Sequence, residues 1–215
     1  MTRNNVFFAL YLGIIGIVLL TVGFAATVYA VSSTARDEVT GQTMSKTDIS
    51  TIQVVTPNGV THWAYSPMSA AELAIYYKND TIHAKCFVCG RAITITVVNG
   101  NFTSVSVSPP NRQDNVQVVE GENGINGPDM MSAMNAEKIV STTAYANQLL
   151  EKNYSSNPYA TTITIQHVFF MGGVMLPMMP PTYSAVEIPT LYYALMTLGG
   201  VLLTVAPISW KSLKK

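Results

Sequence analysis

Two cysteines, in Cys86-Phe87-Val88-Cys89, are the side chains of this chain best suited to chemistry. A CxxC pair supports three readings. A redox pair of the usual kind sets its first sulfur at a helix N-terminus, where the dipole favours the thiolate. Here Gly90-Arg91 and an alternating β pattern follow instead. A structural disulfide between Cys86 and Cys89 suits an oxidising compartment and would fix the start of a hairpin. A metal site is the third reading. His83, Cys86 and Cys89 have ligand-like spacing, and His62 could complete a tetrahedral zinc. The disulfide is the expectation adopted, with a metal-binding or thiol-disulfide module as the alternative.

A second cluster joins His167 to Met171, Met175, Met178 and Met179. Thioethers can hold copper(I). The competing reading is an apolar loop, His167 to Pro181, broken by Gly172-Gly173 and three prolines and so unable to span a bilayer. Its Phe169, Phe170, Met171, Met175, Leu176, Met178 and Met179 are then expected to meet a partner subunit or the lipid interface, where pliable methionine suits docking. Three Asn-x-Ser/Thr sequons, at Asn79, Asn101 and Asn153, are candidate glycosylation sites. No GxSxG, HExxH or phosphate-cradling glycine loop is present. The chain is therefore expected to have no catalytic residues and no required cofactor, and not to be an enzyme by itself.

Long apolar runs must position these residues. The chain has 215 residues, of which 48% are hydrophobic and 11% charged. Soluble domains carry roughly 25% charged residues, so an ordinary cytosolic enzyme is disfavoured. Zero net charge without a basic patch argues against nucleic acid. Val6–Ala30 and Ile188–Ile208 contain no charged residue and read as two transmembrane helices. The first is longer than the roughly 7–15 apolar residues of a signal peptide. All 12 acidic residues and eight of the 12 basic ones lie within 36–187, a balance of 8 − 12 = −4. Arg3, Lys211, Lys214 and Lys215 supply the compensating +4 at the ends. Positive ends mark the cytoplasmic side. Both termini are expected in the cytoplasm and residues about 31–187 outside, with glycines at 13, 16, 23, 199 and 200 letting the spans pack closely.

The expected organisation is a helix over 1–30, a polar linker over 31–50, an extracytoplasmic α+β domain over 51–166, an apolar loop over 167–186, a second span over 187–210 and a basic tail over 211–215. Within the domain, Pro57-Asn58-Gly59 and Asn99-Gly100 predict two tight hairpins. Ser69 and Glu72 have capping-box spacing ahead of a short helix. Residues 108–129 read as a long loop, Met130–Lys152 as a helix capped by Asp129, and Thr161–Ile165 as a strand. The fold class is an antiparallel sheet with helices on one face, between two transmembrane helices.

The order of Tyr76-Tyr77, the Cys pair, a strand, Asn-Gly and a second strand resembles small secreted domains in which a Cys pair precedes such a hairpin, over about 75–105. Low charge, abundant Thr, Ser, Asn and Tyr, and the sequons resemble envelope and membrane-complex proteins of thermoacidophilic archaea. The apolar 167–181 loop, the charge-free spans and the missing catalytic signature point to an accessory subunit of a larger membrane complex, respiratory or metabolic, in contact with lipid and other subunits, with a cell-envelope structural protein as a further alternative.

Overall fold

The computed structural model describes residues 3–121, 137–183 and 190–212. It is a mixed α/β chain with antiparallel sheets and helices, divided into a helical unit (1–34 and 186–215) and a folded unit (35–185).

In the helical unit, α1 (Arg3–Ser33) runs for 31 residues, about 46 Å at 1.5 Å per residue. Its Phe7–Ser33 stretch is long and apolar enough to cross a membrane. Helix α5 (Thr190–Ser212) lies against it, and its apolar part, Leu191–Ala206, is shorter than a typical span. The contact depends on glycine. A Cβ on Gly199 would stand 2.7 Å from the Leu20 nitrogen, and one on Gly16 would stand 3.0 Å from the Gly199 carbonyl oxygen. Any larger residue would force the backbones apart. The start of the expected second span, Ile188-Pro189, and the last tail residues, 213–215, lie outside the described residues.

The described residues of the folded unit form three sheets where one layer is expected. Five strands form the largest, in the order β4-β3-β5-β6-β7: β3 (Ile52–Val55), β4 (Thr61–Ala64), β5 (Thr81–Lys85), β6 (Ala92–Val98) and β7 (Asn101–Ser108). Both Asn-Gly hairpins form. Asn99 (φ 52°) and Gly100 (φ 75°) supply the two positive angles that the β6–β7 turn needs. Alternation then buries one face: Ile82 pairs with Ile95, Ala84 with Ile93 and Ile93 with Val107, all of them buried. Helices α2 (Pro67–Tyr77) and α4 (Ile165–Met175) close over this face, where Ile52, Ile82 and Ile95 meet Pro67, Val168 and Phe169. Each such large apolar side chain stabilises the fold by roughly 1.5–3 kcal/mol.

Five expectations need correction. Residues 31–50 are no linker. Strands β1 (Thr34–Arg36) and β2 (Thr43–Ser45) pair, and Asp37 is fully buried, accepting the backbone N–H of Val39, Thr40 and Tyr65. The N-cap of α2 is Ser66, which accepts from the Ser69 N–H; Ser69 and Glu72 lie inside the helix and are buried. The expected 130–152 helix holds over 143–152 and is not helical over 137–142. Lys138–Val140 is strand β9, and α3 (Thr143–Tyr154) starts only after the Thr142 cap, while Asp129 and Met134 lie outside the described residues. Strand β9 pairs with β8 (Gln117–Glu120), within the expected 108–129 loop, and β8 pairs with β10 (Thr161–Thr164). Finally, Ile165–Met175 is a helix, not a loop, with Thr164 as its cap. Gly172 suits it because a Cβ there would sit 3.2 Å from Ala71 and 3.4 Å from the Glu72 nitrogen on α2. The glycine that reads as a helix breaker permits close helix packing.

Candidate functional site

The Cys86–Cys89 segment turns between β5 and β6. The Cys86 N–H donates to the Arg91 carbonyl at 2.8 Å, and the Gly90 N–H donates to the Cys86 carbonyl at 2.8 Å. Gly90 has φ 72°, which favours glycine at the close of the turn. Phe87 donates to the Ile139 carbonyl of β9 (2.9 Å), which brings Ser141 over the turn.

Both cysteines are free thiols, Cys86 buried and Cys89 exposed. Ser141 links them. Its N–H donates to Cys86 Sγ at 3.3 Å, and its hydroxyl lies 3.4 Å from Cys86 Sγ and 3.6 Å from Cys89 Sγ. Arg91 Nη2 donates to the Ser141 hydroxyl (2.8 Å) and meets Asp114 Oδ1 (2.7 Å), while Nη1 donates to the Pro109 carbonyl (3.1 Å). The guanidinium is thereby fixed beside the exposed sulfur. Partial burial pushes the Cys89 thiol up, but hydrogen bonds from the Arg91 backbone and guanidinium, from Cys86 and from Ser141 outweigh it and pull the thiol down to about 7. A thiol poised there is substantially thiolate near neutrality. Cys89 opens onto a depression of about 660 Å³ whose lining includes Arg91, Arg112, Pro110, Thr142 and Tyr145.

The zinc set is not assembled. His83 sits on the exposed face of β5, opposite buried Ile82 and Ala84. His62 is committed elsewhere: its Nδ1 is 3.0 Å from both Glu38 carboxylate oxygens, and its ring stacks on Tyr77 at 3.9 Å. The copper set also diverges. His167 is exposed and Met175 buried on the same helix, Met178 is 71% exposed, and Met171 and Met179 pack against the core. Among the described residues, no group of three or more His, Cys, Asp or Glu is placed to hold a metal ion. Of the interface residues, Phe169 and Met175 are core, and Leu176 is half-buried. Phe170 (66%) and Met178 are the ones that face outward. Asn79, Asn101 and Asn153 are all exposed.

Sequence reasoning missed Arg91, Ser141 and Asp114. Arg91 was visible two residues past Cys89, as a fixed cation beside a thiol. Ser141 is 52 residues from Cys89 and is brought to it by the Phe87–Ile139 hydrogen bond between the turn and β9.

No known family model matches the chain, and no curated protein does. Among solved structures, the chain is similar to the crystal structure of the mercury-bound form of MerB2, at 19% identity and a TM-score of 0.44, over 68% of this chain and 69% of that one.

Proposed function

We propose that this protein is a membrane-anchored thiol–disulfide module in which Cys89 is the attacking thiolate and Cys86 the resolving thiol. The observation that carries the reading is an exposed sulfur held by Arg91 and Ser141 next to a buried second sulfur. Cys89 Sγ⁻ attacks one sulfur of a substrate disulfide. That S–S bond breaks, a mixed disulfide forms, and the leaving thiolate takes up a proton. Cys86 then loses its proton to solvent and attacks Cys89 Sγ, which expels the second substrate thiolate. The chain ends as the Cys86–Cys89 disulfide, oxidised by two electrons, and the substrate disulfide ends as two thiols. In this scheme the disulfide expected from the sequence is one of two working states.

The charge distribution of the chain supports placing this unit outside, with both termini in the cytoplasm and α5 as a second span. Cys86 and Cys89 account for the stoichiometry test. The reduced full chain in detergent is mixed with a chromogenic aromatic disulfide. Wild type should release two equivalents of aryl thiolate. Cys86→Ser should release one and retain a stable mixed disulfide, and Cys89→Ser should release almost none on the same timescale. One equivalent from wild type would show that Cys86 does not resolve.

A second reading, compatible with the first, is an accessory subunit of a larger membrane assembly. It is favoured by Phe170, Val174 and Met178, spaced four apart and exposed by 66%, 44% and 71%. Mild detergent extraction and mass spectrometry of co-purifying chains test it.

A further inference from the structure

Besides Glu38, which is paired with His62, three described glutamates of the folded unit are buried. Glu72 on α2 is 0% exposed, and neither carboxyl oxygen has a hydrogen-bond partner among the described residues. Glu120, at the end of β8, is 4% exposed, with Oε1 unpartnered. Glu137, just before β9, is 4% exposed and accepts the Met68 N–H at Oε2, 2.9 Å away. These carboxyls act on one another: Glu137 feels both Glu120 and Glu72.

We propose that this cluster makes the fold proton-coupled: Glu72 and Glu137 stay closed in the core as neutral acids, and the Met68–Glu137 contact that ties α2 to the segment ahead of β9 loosens as the surroundings turn alkaline.

The physical reason is the cost of an uncompensated buried anion. A carboxylate without donors or a cation loses its hydration and gains nothing in return, whereas the neutral acid remains tolerable. The surroundings of each group bear this out. Glu72 faces Asp37, whose carboxylate is already satisfied by three backbone N–H groups, and Glu137, so its charged neighbours among the described residues are acidic. Glu137 faces Lys138 from β9, but that ammonium lies over the rings of Tyr65 and Phe87 and donates to Ser50. Glu120 faces His167 from α4, an exposed imidazole. From β4, His62 is paired with Glu38, and from β5, His83 and Lys85 point to the exposed face. Burial accordingly pushes Glu72 up to about 8, with Asp37 adding to it, and pushes Glu137 up to about 8 against the opposing Met68 N–H.

The sign follows directly. Unfolded glutamates titrate near 4.5, and the folded pair near 8. Between those values the folded state holds two protons that the unfolded state has released. The stabilisation is complete below the lower value and is lost as pH rises through the upper one. Two protons correspond to about a 100-fold rise in the unfolding constant per pH unit.

The test is urea unfolding of the full chain in detergent at pH 5.5, 6.5 and 7.5, read by hydrogen exchange at β5 and β6. Wild type should change its unfolding constant about 100-fold per unit. Glu72→Gln and Glu137→Gln, neutral mimics of the protonated acids, should each reduce this to about 10-fold and should fold better at pH 7.5. Glu151→Gln, at an exposed site on α3, should leave the wild-type dependence intact. A dependence unchanged in both glutamine variants would overturn the proposal, and so would a glutamine variant less stable than wild type at pH 7.5.

Discussion

The Cys86–Cys89 turn and the Glu72–Glu120–Glu137 cluster solve opposite electrostatic problems in one folded unit. At the turn, an acidic hydrogen is given up readily because Arg91 and Ser141 supply donors to the sulfur that remains. In the core, an acidic hydrogen is retained because the oxygens of Glu72 meet no donor among the described residues. Both sites are partly screened from water, so burial alone does not decide the protonation state. The supply of donors does. The comparison also separates what each group is for: an anion exposed at a surface depression can react, while a neutral acid sealed in the core can only report on pH through stability.

The largest effect expected on the reactive side is from Cys89→Ser, which should reduce disulfide exchange by at least about 10³-fold, because a serine hydroxyl is not a thiolate at neutral pH. On the buried side, Glu72→Gln should stabilise the protein at pH 8 by about 3–4 kcal/mol, since it removes a proton the wild type must hold. Chemical denaturation at pH 8 and at pH 4.5 checks this, and the gain should vanish at the lower pH. Arg91→Met comes next. Losing the guanidinium while the Arg91 backbone, Cys86 and Ser141 stay in place should raise the thiol part of the way from about 7 back toward its ordinary value, and so lower the thiolate fraction at pH 7 below about a half. The more basic thiolate is intrinsically more nucleophilic, which restores part of the rate, so a net slowing of roughly 2- to 5-fold is expected in stopped-flow exchange. Away from both sites, Phe170→Asp should change stability by no more than about 0.5 kcal/mol, as an exposed residue. It should nevertheless remove any co-purifying membrane chain; a large fall in melting temperature would instead place Phe170 in the core.

The parts of this molecule that were legible from sequence are those governed by local rules. An uncharged run gave α1, and Asn58-Gly59 and Asn99-Gly100 gave two hairpins, because a tight turn demands positive φ within four residues. The parts that were not legible depend on partners distant in the chain. Ile139 and Val140 fit a helical stripe as well as a strand, and only pairing with Val118 and Gln117 decides between them. Gly172-Gly173 looks like a helix break until Ala71 is seen against Gly172. Asp37 reads as linker because hydropathy cannot register a buried carboxylate satisfied by three N–H groups. Glu72 resembled a capping residue by spacing, yet its helix begins earlier, at Ser66. For the candidate site, the Cys pair itself was evident. Its chemistry was not, because the donor set that tunes Cys89 includes Ser141 and rests on Asp114.

The central claim is that Cys89 is a thiolate near neutral pH while Cys86 is its shielded partner. It is tested most directly by the pH dependence of alkylation on the reduced full chain, with each cysteine quantified by mass spectrometry. The account predicts that Cys89 labels first, with a rate that is half-maximal near pH 7, and that Cys86 stays protected until the fold is opened. Cys89 labelling half-maximally near pH 9, like an ordinary thiol, or Cys86 labelling before it, would contradict the account.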